Sequence, residues 1–494
     1  MIVAPTDANS GTASGNSAGP PLCVDLDHTL IRTDVLWESV VQLWRHPAIA
    51  VRAIAALLSR GKAAFKSTLA NAVTVDVATL PYNEDVLAYA RSRHLAGQKV
   101  ILATASHRTI AQRVADHLGI FESVFATEND ANLSGTAKRD VLVSAYGEGG
   151  YDYIGDSKKD LPIFKSARHA LLASPSRRLL QQASAMGNVA HVFPAVPANA
   201  KTFARALRLH QWAKNALLAV PLLSAHLLLS PQAWVNLIIA FFGFGLVASA
   251  TYLVNDLLDL QSDRQHARKR FRPLADGRLS IQSGLALCAA SVIAGCAISL
   301  LLPPAFMLYL GVYVVLTLSY SFDLKRRLLV DVIALALLYT LRILAGGAAI
   351  GVAVSEWLLM FSLFIFLSLA FLKRVIEIAG SQSDTRIAGR GYSIIDLDTA
   401  RTIGITSGLL SVMVLSLYIS SPAVTQLYQA PQVLWLLCPL LIYWIARIWL
   451  LVARGEVHHD PVVFALQDWR SYVVGTGGLI IMLIATYGPE NLRW

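Results

Sequence analysis

The sequence predicts two unlike domains in one chain: an α/β domain of Rossmann-like topology with a helical cap, followed by an all-α bundle of nine membrane-spanning helices. Two observations support this fold class. Short apolar strands alternate with helical stretches between residues 21 and 200, whereas nearly all long apolar runs come after Lys201. The composition is 55% hydrophobic and only 15% charged, below the roughly 25% charge of a soluble chain. A soluble domain fused to an integral membrane domain accounts for both.

The front domain is predicted over residues 21–190. Its buried strands are LCVDL, VILAT and YDYIGD, and each of them ends in polar residues. Parallel strands that end this way build a site along one edge of their sheet. The first two strands are separated by a long helical stretch, too long for a simple crossover, so a helical cap is expected at about 35–95.

The ends of this domain differ in composition from its interior. Residues 1–20 are rich in Ser, Gly, Ala and Pro and lack the apolar core of a signal peptide, which predicts a disordered N-terminus and a cytoplasmic front domain. Residues 191–204 contain two prolines and few charges, and we expect them to form the linker. The membrane domain is then predicted over residues 205–494.

The nine predicted spans each have the roughly 20 apolar residues that cross a bilayer. They are 213–229, 232–254, 281–302, 304–321, 329–351, 355–372, 402–420, 431–452 and 471–488. Lys and Arg concentrate before the first span and in every second loop, while the alternate loops have none. The positive-inside rule therefore predicts a multi-pass protein of the inner (plasma) membrane with its N-terminus in the cytoplasm and its C-terminus outside. The net charge of +10 fits these loops, and no nucleic-acid-binding motif is found.

Four separated motifs of the front domain fit phosphoryl transfer. This chemistry needs a nucleophile, an acid/base, a group that holds the phosphoryl oxygens, and acids for Mg²⁺. The candidates are Asp25 and Asp27 after the first strand, Thr104 at the end of the second, Lys138, and Asp156 with Asp160 in GDSKKD. The alternatives are a degenerate copy that is only structural, and a Lys138 that is merely solvated.

On these motifs, residues 21–190 closely resemble the haloacid-dehalogenase-like hydrolases. The resemblance implies that Asp25 is the nucleophile, forming an aspartyl-phosphate, and that Asp27 is the general acid/base. Thr104 and Lys138 would hold the phosphoryl group. The same resemblance implies Mg²⁺ as cofactor, with Asp25, Asp156 and Asp160 as the metal site.

A second acidic motif lies where the second predicted span reaches the cytoplasm. Asn255, Asp256, Asp259 and Asp263 are spaced three and four residues apart, so they share one face of a helix. Clustered acids at a membrane helix end repel one another unless a cation binds among them. Mg²⁺ together with a diphosphate fits this requirement. The donors for phosphate oxygens directly follow the motif and are Arg268, Lys269, Arg270 and Arg272. The alternative is an ordinary cytoplasmic loop with solvated acids.

These residues resemble the UbiA-type intramembrane prenyltransferase superfamily, over about 205–494. That resemblance implies a nine-helix bundle that binds a magnesium diphosphate through two acidic motifs. The later of these two family motifs usually has the pattern DxxxD, and in this chain it is replaced by Tyr320 to Lys325 and then Asp331. Several stretches are similar to the polyprenyl-phosphate (decaprenyl-phosphate) phosphoribosyltransferase branch, namely RLHQWAKN (208–215), KRFRPLADG (269–277), KR (373–374) with Glu377, GRGYS (389–393) and RGEVHHDPVVFALQDWRS (454–471). The branch implies phosphoribosyl diphosphate and polyprenyl phosphate as substrates.

Further phosphate contacts are predicted in the membrane domain. They are Lys214, Tyr320, Lys325, Asp331, Arg342, Lys373 and Arg374. For Arg342, inside a span, snorkelling or pairing with Asp331 is an equal alternative, and Tyr320 is as consistent with a membrane-interface aromatic. The adjacent His458 and His459 suit an exposed loop, so no metal site is assigned to them.

The sequence thus predicts a fusion of two steps, phosphoribosyl transfer to a polyprenyl phosphate followed by removal of the 5-phosphate. One rival is a prenyltransferase that joins a prenyl diphosphate to an aromatic acceptor, with a phosphatase of unrelated substrate. The other is a non-enzymatic transport or scaffold protein, although transporters place ionisable groups nearer the midplane. Lipid chain length, the substrate of the front domain, the final glycan and the oligomeric state are left open.

Overall fold

The computed structural model describes residues 19–44, 47–73, 75–128, 133–195, 198–380, 391–457, 464–465 and 468–488. The chain divides into two compact units. The first unit comprises residues 1–199 together with 258–282, and the second comprises 200–257 together with 283–494. The segment 258–282, which holds part of the second acidic motif, is thus grouped with the front domain.

The first unit contains a six-stranded sheet in which every strand pair is parallel. Its strands are β1 (Leu22–Val24), β2 (Val100–His107), β3 (Ser123–Thr127), β4 (Asp152–Gly155), β5 (His169–Ala173) and β6 (Val189–Phe193). The order β3-β2-β1-β4-β5-β6 reverses direction at β1, and ligands bind outside the carboxyl ends of the strands at such a switch point. The predicted parallel α/β sheet is confirmed.

Both faces of the sheet are buried, because successive side chains of a strand point to opposite faces. Leu22 and Val24 of β1 pack in one apolar cluster while Cys23 packs in the other. Ile154 and Tyr153 of β4 are divided in the same way. The central strands β1 and β4 are short and largely apolar, and the candidate residues Asp25 and Asp156 directly follow their carboxyl ends.

Helices cover the sheet and fill the long β1–β2 connection. They are α1 (Val35–Leu43), α2 (Pro47–Ala72), α3 (Glu84–Leu95), α4 (Arg108–Leu118), α5 (Thr136–Tyr146), α6 (Leu161–Ser166) and α7 (Arg177–Ser184). Leu43 and Ala53 belong to a small cluster that α1 and α2 form between themselves. Val86 and Ala90 of α3 instead join the main core beside the sheet, as does Val35 at the start of α1.

The second unit is helical, and within the described residues it has eight helices long and apolar enough to cross a membrane. These span Pro231–Leu258, Ile281–Ser299, Pro304–Phe322, Val330–Ile350, Glu356–Ala379, Ile394–Ile419, Pro431–Ala453 and Trp469–Tyr487. Each corresponds to one predicted span, from the second to the ninth. Their exposed large apolar side chains, such as Ile293 and Leu308, are consistent with a lipid-facing surface.

The first predicted span, 213–229, is not a continuous helix. Its residues lie in a 3₁₀ stretch (Leu209–Ala219) and a short α-helix (Val220–Ser224) that has proline in its first turn. Polar residues in this stretch, including Lys214 and Asn215, are buried. The count of nine spanning helices is therefore not confirmed, and the C-terminal location that depends on it stays a prediction.

Some predicted features fall outside the described residues. These are residues 1–18 of the N-terminal segment, Gly389 and Arg390 of GRGYS, and much of RGEVHHDPVVFALQDWRS, including His458 and His459.

Candidate active sites

The front site lies where β1, β2 and β4 end. The Asp25 backbone amide donates to the Ile154 carbonyl at 3.0 Å, which continues the pairing of β1 with β4 past the last strand residue. The Asp25 side chain accepts from the Leu26 amide at 2.8 Å. Thr104, fully buried in β2, accepts at its hydroxyl oxygen from the Ser106 amide at 3.0 Å. The parallel sheet thus brings together residues that are far apart in the sequence.

Lys138 is the cation at the centre of this site. Its Nζ lies 3.0 Å from Asp25 Oδ1 and 3.9 Å from Asp160 Oδ1, and it donates to the Tyr153 hydroxyl at 3.0 Å. The Lys138 side chain is only 2% exposed, so it is not a solvated lysine. Burial lowers its pKa, but the Asp25 and Asp160 carboxylates outweigh this and raise it, so the ammonium group stays charged.

Three carboxylates surround a space suited to a divalent cation. Oxygens of Asp25, Asp156 and Asp160 lie within 4.8 Å of one another, the one such group among the described residues. Asp160 is held by the Ser157 hydroxyl at 2.7 Å and by the Tyr153 hydroxyl at 3.0 Å. Carboxylate oxygens are the ligands Mg²⁺ prefers, so the residues present fit the ion that the sequence predicts.

The electrostatics of these acids support the same interpretation. Burial is the main cause that raises the pKa of Asp156 to about 8, and the charges of Asp25 and Asp160 add to it. Burial also raises the pKa of Asp25 to about 7, against the lowering effect of Lys138. Carboxyl groups that resist ionisation without a cation become full anions when one binds.

Asp27 is held in one orientation by two hydrogen bonds. Its Oδ1 accepts from the Val35 amide at 2.8 Å, and its Oδ2 accepts from the Ser106 hydroxyl at 2.6 Å. Burial, followed by the nearby Asp34 charge, raises the pKa of Asp27 to about 6. A carboxyl group that titrates near neutrality can both donate and accept a proton, as a general acid/base requires.

Sequence reasoning missed several supporting residues of this site. Ser106 lies two residues after Thr104 in VILATASH, and this spacing along the strand was the signal for it. Tyr153 lies three residues before Asp156, and Ser157 directly follows it. Thr29, whose hydroxyl lies 3.4 Å from Asp156 Oδ1, had no sequence signal because it follows the nucleophile in a turn.

The second acidic motif is divided between the two units. Asn255 and Asp256 end a helix of the second unit, and Asp256 pairs with Arg208, which also stacks over the Tyr252 ring at 5.3 Å. Asp259 and Asp263 belong to the 258–282 segment of the first unit. The predicted phosphate donors Arg268, Lys269 and Arg270 are exposed, whereas Arg272 pairs with the buried Asp263.

Two predicted cations lie inside the helical bundle of the second unit. Arg342 is 3% exposed and donates to the Tyr313 hydroxyl at 3.1 Å and to the Leu338 carbonyl at 2.7 Å. Lys214 and Arg342 both lie against the Tyr339 ring, at 5.5 and 5.7 Å from its centroid. Two positive charges are thus concentrated around one aromatic ring.

Asp331 and Arg374 form a separate, fully buried pair. Arg374 Nη2 lies 2.7 Å from Asp331 Oδ2, and both side chains are 0% exposed. The Tyr392 hydroxyl donates to Asp331 at 2.8 Å and accepts from the Leu329 amide at 3.2 Å. The alternative in which Arg342 pairs with Asp331 is thus wrong, since Arg374 takes that position. Tyr320, Lys325 and Lys373 are partly exposed elsewhere in the unit.

Two family models match the chain. The UbiA prenyltransferase family matches residues 218–471, just over half of the chain, and the haloacid dehalogenase-like hydrolase family matches residues 22–165. The protein y4nM of Sinorhizobium fredii is 38% identical over 460 residues, covering 92% of this chain and 89% of that one.

Two further relatives are similar to part of the chain. Nodulation protein NoeC of Azorhizobium caulinodans is 33% identical over 290 residues, covering 57% of this chain and 93% of NoeC. Decaprenyl-phosphate phosphoribosyltransferase of Corynebacterium glutamicum is 38% identical over 178 residues, covering 35% of this chain and 54% of that enzyme. The last similarity therefore extends over only part of both proteins.

Proposed function

The chain belongs to the UbiA prenyltransferase family and carries a haloacid dehalogenase-like hydrolase domain in front, and on that premise we propose that it builds a lipid-linked ribose in two steps. The membrane unit transfers 5-phosphoribosyl from phosphoribosyl diphosphate to a polyprenyl phosphate. The front domain then removes the 5-phosphate. The observation that carries the proposal is the 38% identity to a decaprenyl-phosphate phosphoribosyltransferase in a chain that also holds a phosphatase-type site.

In the first step an oxygen of the polyprenyl phosphate attacks C1 of the ribose, and the bond from C1 to the diphosphate breaks. Asp256, Asp259 and Asp263 are the residues proposed to hold Mg²⁺, which would neutralise charge on the departing diphosphate. In the structure Asp256 pairs with Arg208 and Asp263 with Arg272, so on this proposal both carboxylates exchange an arginine partner for the ion. The groups proposed to bind the phosphates are Asn255, Arg268, Lys269, Arg270, Arg272, Tyr320, Lys325 and Lys373. We propose that this step takes place at the cytoplasmic face of the inner membrane.

Lys214 and Arg342 are the proposed anion-binding groups inside the bundle. Both are buried, and both lie against aromatic rings. A cation in a low-dielectric interior attracts an anionic ligand strongly. The buried Asp331–Arg374 pair was predicted to contact substrate, but its full burial supports a role in fixing the bundle.

In the second step the Asp25 carboxylate attacks the phosphorus of the 5-phosphate, and an aspartyl-phosphate forms as the bond to the ribose O5 breaks. Asp27 gives a proton to O5 and later takes one from the water that hydrolyses the intermediate. Lys138 and Thr104 hold the phosphoryl oxygens. Asp25, Asp156 and Asp160 would hold Mg²⁺, which supplies further charge neutralisation.

The test is to incubate membranes that contain the protein with labelled phosphoribosyl diphosphate and polyprenyl phosphate, and to identify the lipid product. We expect a labelled polyprenyl-phosphoryl-ribose and no product when EDTA is present. Membranes with Asp256→Ala protein are the control. A prenylated aromatic compound formed from a prenyl diphosphate, with no labelled lipid, would favour the rival prenyltransferase.

A further inference from the structure

A buried ion pair joins the segment 258–282 to the first helix of the phosphatase domain. Arg264 Nη2 lies 2.6 Å from Glu38 Oε1, and Nη1 lies 3.1 Å from Oε2. The two side chains are 5% and 2% exposed, and both belong to the first unit. Two parallel bonds between a guanidinium and a carboxylate are the strong, directional form of this interaction.

The remaining polar atoms of the pair are also satisfied. Arg264 Nε donates to the Ala275 carbonyl at 2.9 Å, and the Thr33 hydroxyl donates to Glu38 Oε1 at 2.8 Å. Buried charges are tolerated when geometry and additional hydrogen bonds compensate for lost hydration. Since this pair meets that requirement, it is a specific contact and differs from solvated loop charges.

A second contact fixes the same segment close by. Gly277 has φ +76°, and a Cβ at this position would lie 2.6 Å from Cβ of Arg32. Only glycine allows this conformation and this approach together. Leu274 and Ala275 are 3% and 2% exposed, so the segment is packed between its two contacts.

The helix α1, which the segment contacts through Glu38, also orients Asp27. The Val35 amide donates to Asp27 Oδ1 at 2.8 Å, and Val35 begins α1 one turn before Glu38. The Thr33 carbonyl accepts from the His28 amide at 3.1 Å, directly after Asp27. A shift of the first turn of α1 would therefore move the donor that holds the Asp27 carboxylate.

We propose that Arg264 is a positioning residue for Asp27, so that the phosphatase site is complete only when the segment 258–282 is docked on it. The inference rests on the phosphatase chemistry proposed above. Because the same segment carries Asp259 and Asp263, one stretch of chain then serves both reactions.

The test uses full-length protein in detergent and two substrates, a nitrophenyl phosphate with a good leaving group and an alkyl phosphate with a poor one. A poor leaving group depends more on protonation by Asp27. Arg264→Gln should lower kcat/KM for the alkyl phosphate about tenfold or more and lower kcat/KM for the nitrophenyl phosphate less, because kcat/KM reports the step in which the leaving group departs. Arg264→Lys should restore part of the loss. Glu122→Gln, which breaks an exposed ion pair with Lys99, should change kcat/KM for neither substrate.

Equal losses with both substrates, or no loss, would overturn the proposal. Amide exchange provides a second readout that needs no turnover, and peptides covering residues 33–40 should exchange faster in Arg264→Gln than in wild type and Glu122→Gln. Unchanged exchange there also overturns it. If wild type and Asp25→Asn are equally inactive on both phosphates, the proposed phosphatase function has failed, and the exchange measurement still decides whether Arg264 holds α1.

Discussion

Replacing Asp156 by Asn should stabilise the metal-free front domain at high pH. Burial and the charges of Asp25 and Asp160 raise the pKa of Asp156 from 3.8 to about 8. Asparagine keeps the shape and the acceptor for the Thr29 hydroxyl but cannot ionise. The variant therefore removes an unfavourable charge without opening a cavity.

The sign and size of the effect follow from the two pKa values. Below pH 4 the carboxyl group is protonated in both states and contributes nothing. Between pH 4 and pH 8 the unfolded chain releases a proton that the folded chain retains, so wild-type stability falls as pH rises. One pKa unit corresponds to about 1.4 kcal/mol, which gives a ceiling of about 5 kcal/mol at pH 8. We expect about 2–3 kcal/mol, since a site at strand ends is partly screened by water.

The assay is amide exchange of peptides from β1 and β4 in full-length protein with EDTA, corrected for the intrinsic exchange rate at each pH. At pH 8 these amides should be more protected from exchange in Asp156→Asn than in wild type, and near pH 4 they should be equally protected in both. Added Mg²⁺ should increase the amide protection of the wild-type protein and have little effect on that of the variant, because ligand binding stabilises only the state that binds it. The reasoning is refuted if the variant is less protected at pH 8, or if Mg²⁺ stabilises both equally.

Three further predictions concern the membrane region. Asp256→Ala and Asp259→Ala should each abolish phosphoribosyl transfer in the membrane assay while the protein still purifies as a folded species; normal transfer by either contradicts the metal-diphosphate assignment. Phosphoribosyl diphosphate should raise the Tm of the second unit only when Mg²⁺ is present, and stabilisation by prenyl diphosphates instead would favour the rival reaction. Gly346→Ala should lower the Tm by several degrees, because its Cβ would lie 2.1 Å from the Leu218 carbonyl oxygen. Gly311→Ala, in open space, is the control, and equal Tm values for the two variants would show that the packing argument is wrong.

The front site was largely predictable because its chemistry follows the strand ends. Asp25, Thr104 and Asp156 each come at or directly after an apolar run, and a parallel sheet brings such positions together. Lys138 was predicted from its motif alone, and only the fold shows that it is buried against Asp25. The pair of Glu38 and Arg264 had no sequence signal, since neither local spacing nor periodicity relates residues in separate segments.

The membrane region shows where periodicity is insufficient. Among the described residues, hydropathy located eight helices correctly. In 209–224 it could not show that Lys214 and Asn215 are buried and that the helix is broken. Polar side chains inside a bundle are satisfied by tertiary partners, as Arg342 is by Tyr313. The partner of Asp331 was likewise a question of three-dimensional packing, and the charge pattern gave no preference for Arg374.

The most direct test of the two-step account is the mass of the lipid made by Asp25→Asn protein. Membranes containing this variant or wild type are given phosphoribosyl diphosphate and polyprenyl phosphate, and the lipids are compared by mass spectrometry. We predict that the variant still transfers phosphoribosyl but accumulates a lipid that is heavier by one phosphate group than the wild-type product, since Asn cannot attack phosphorus as a carboxylate does. The same phosphorylated lipid from both proteins, or no lipid from the variant, would contradict the account.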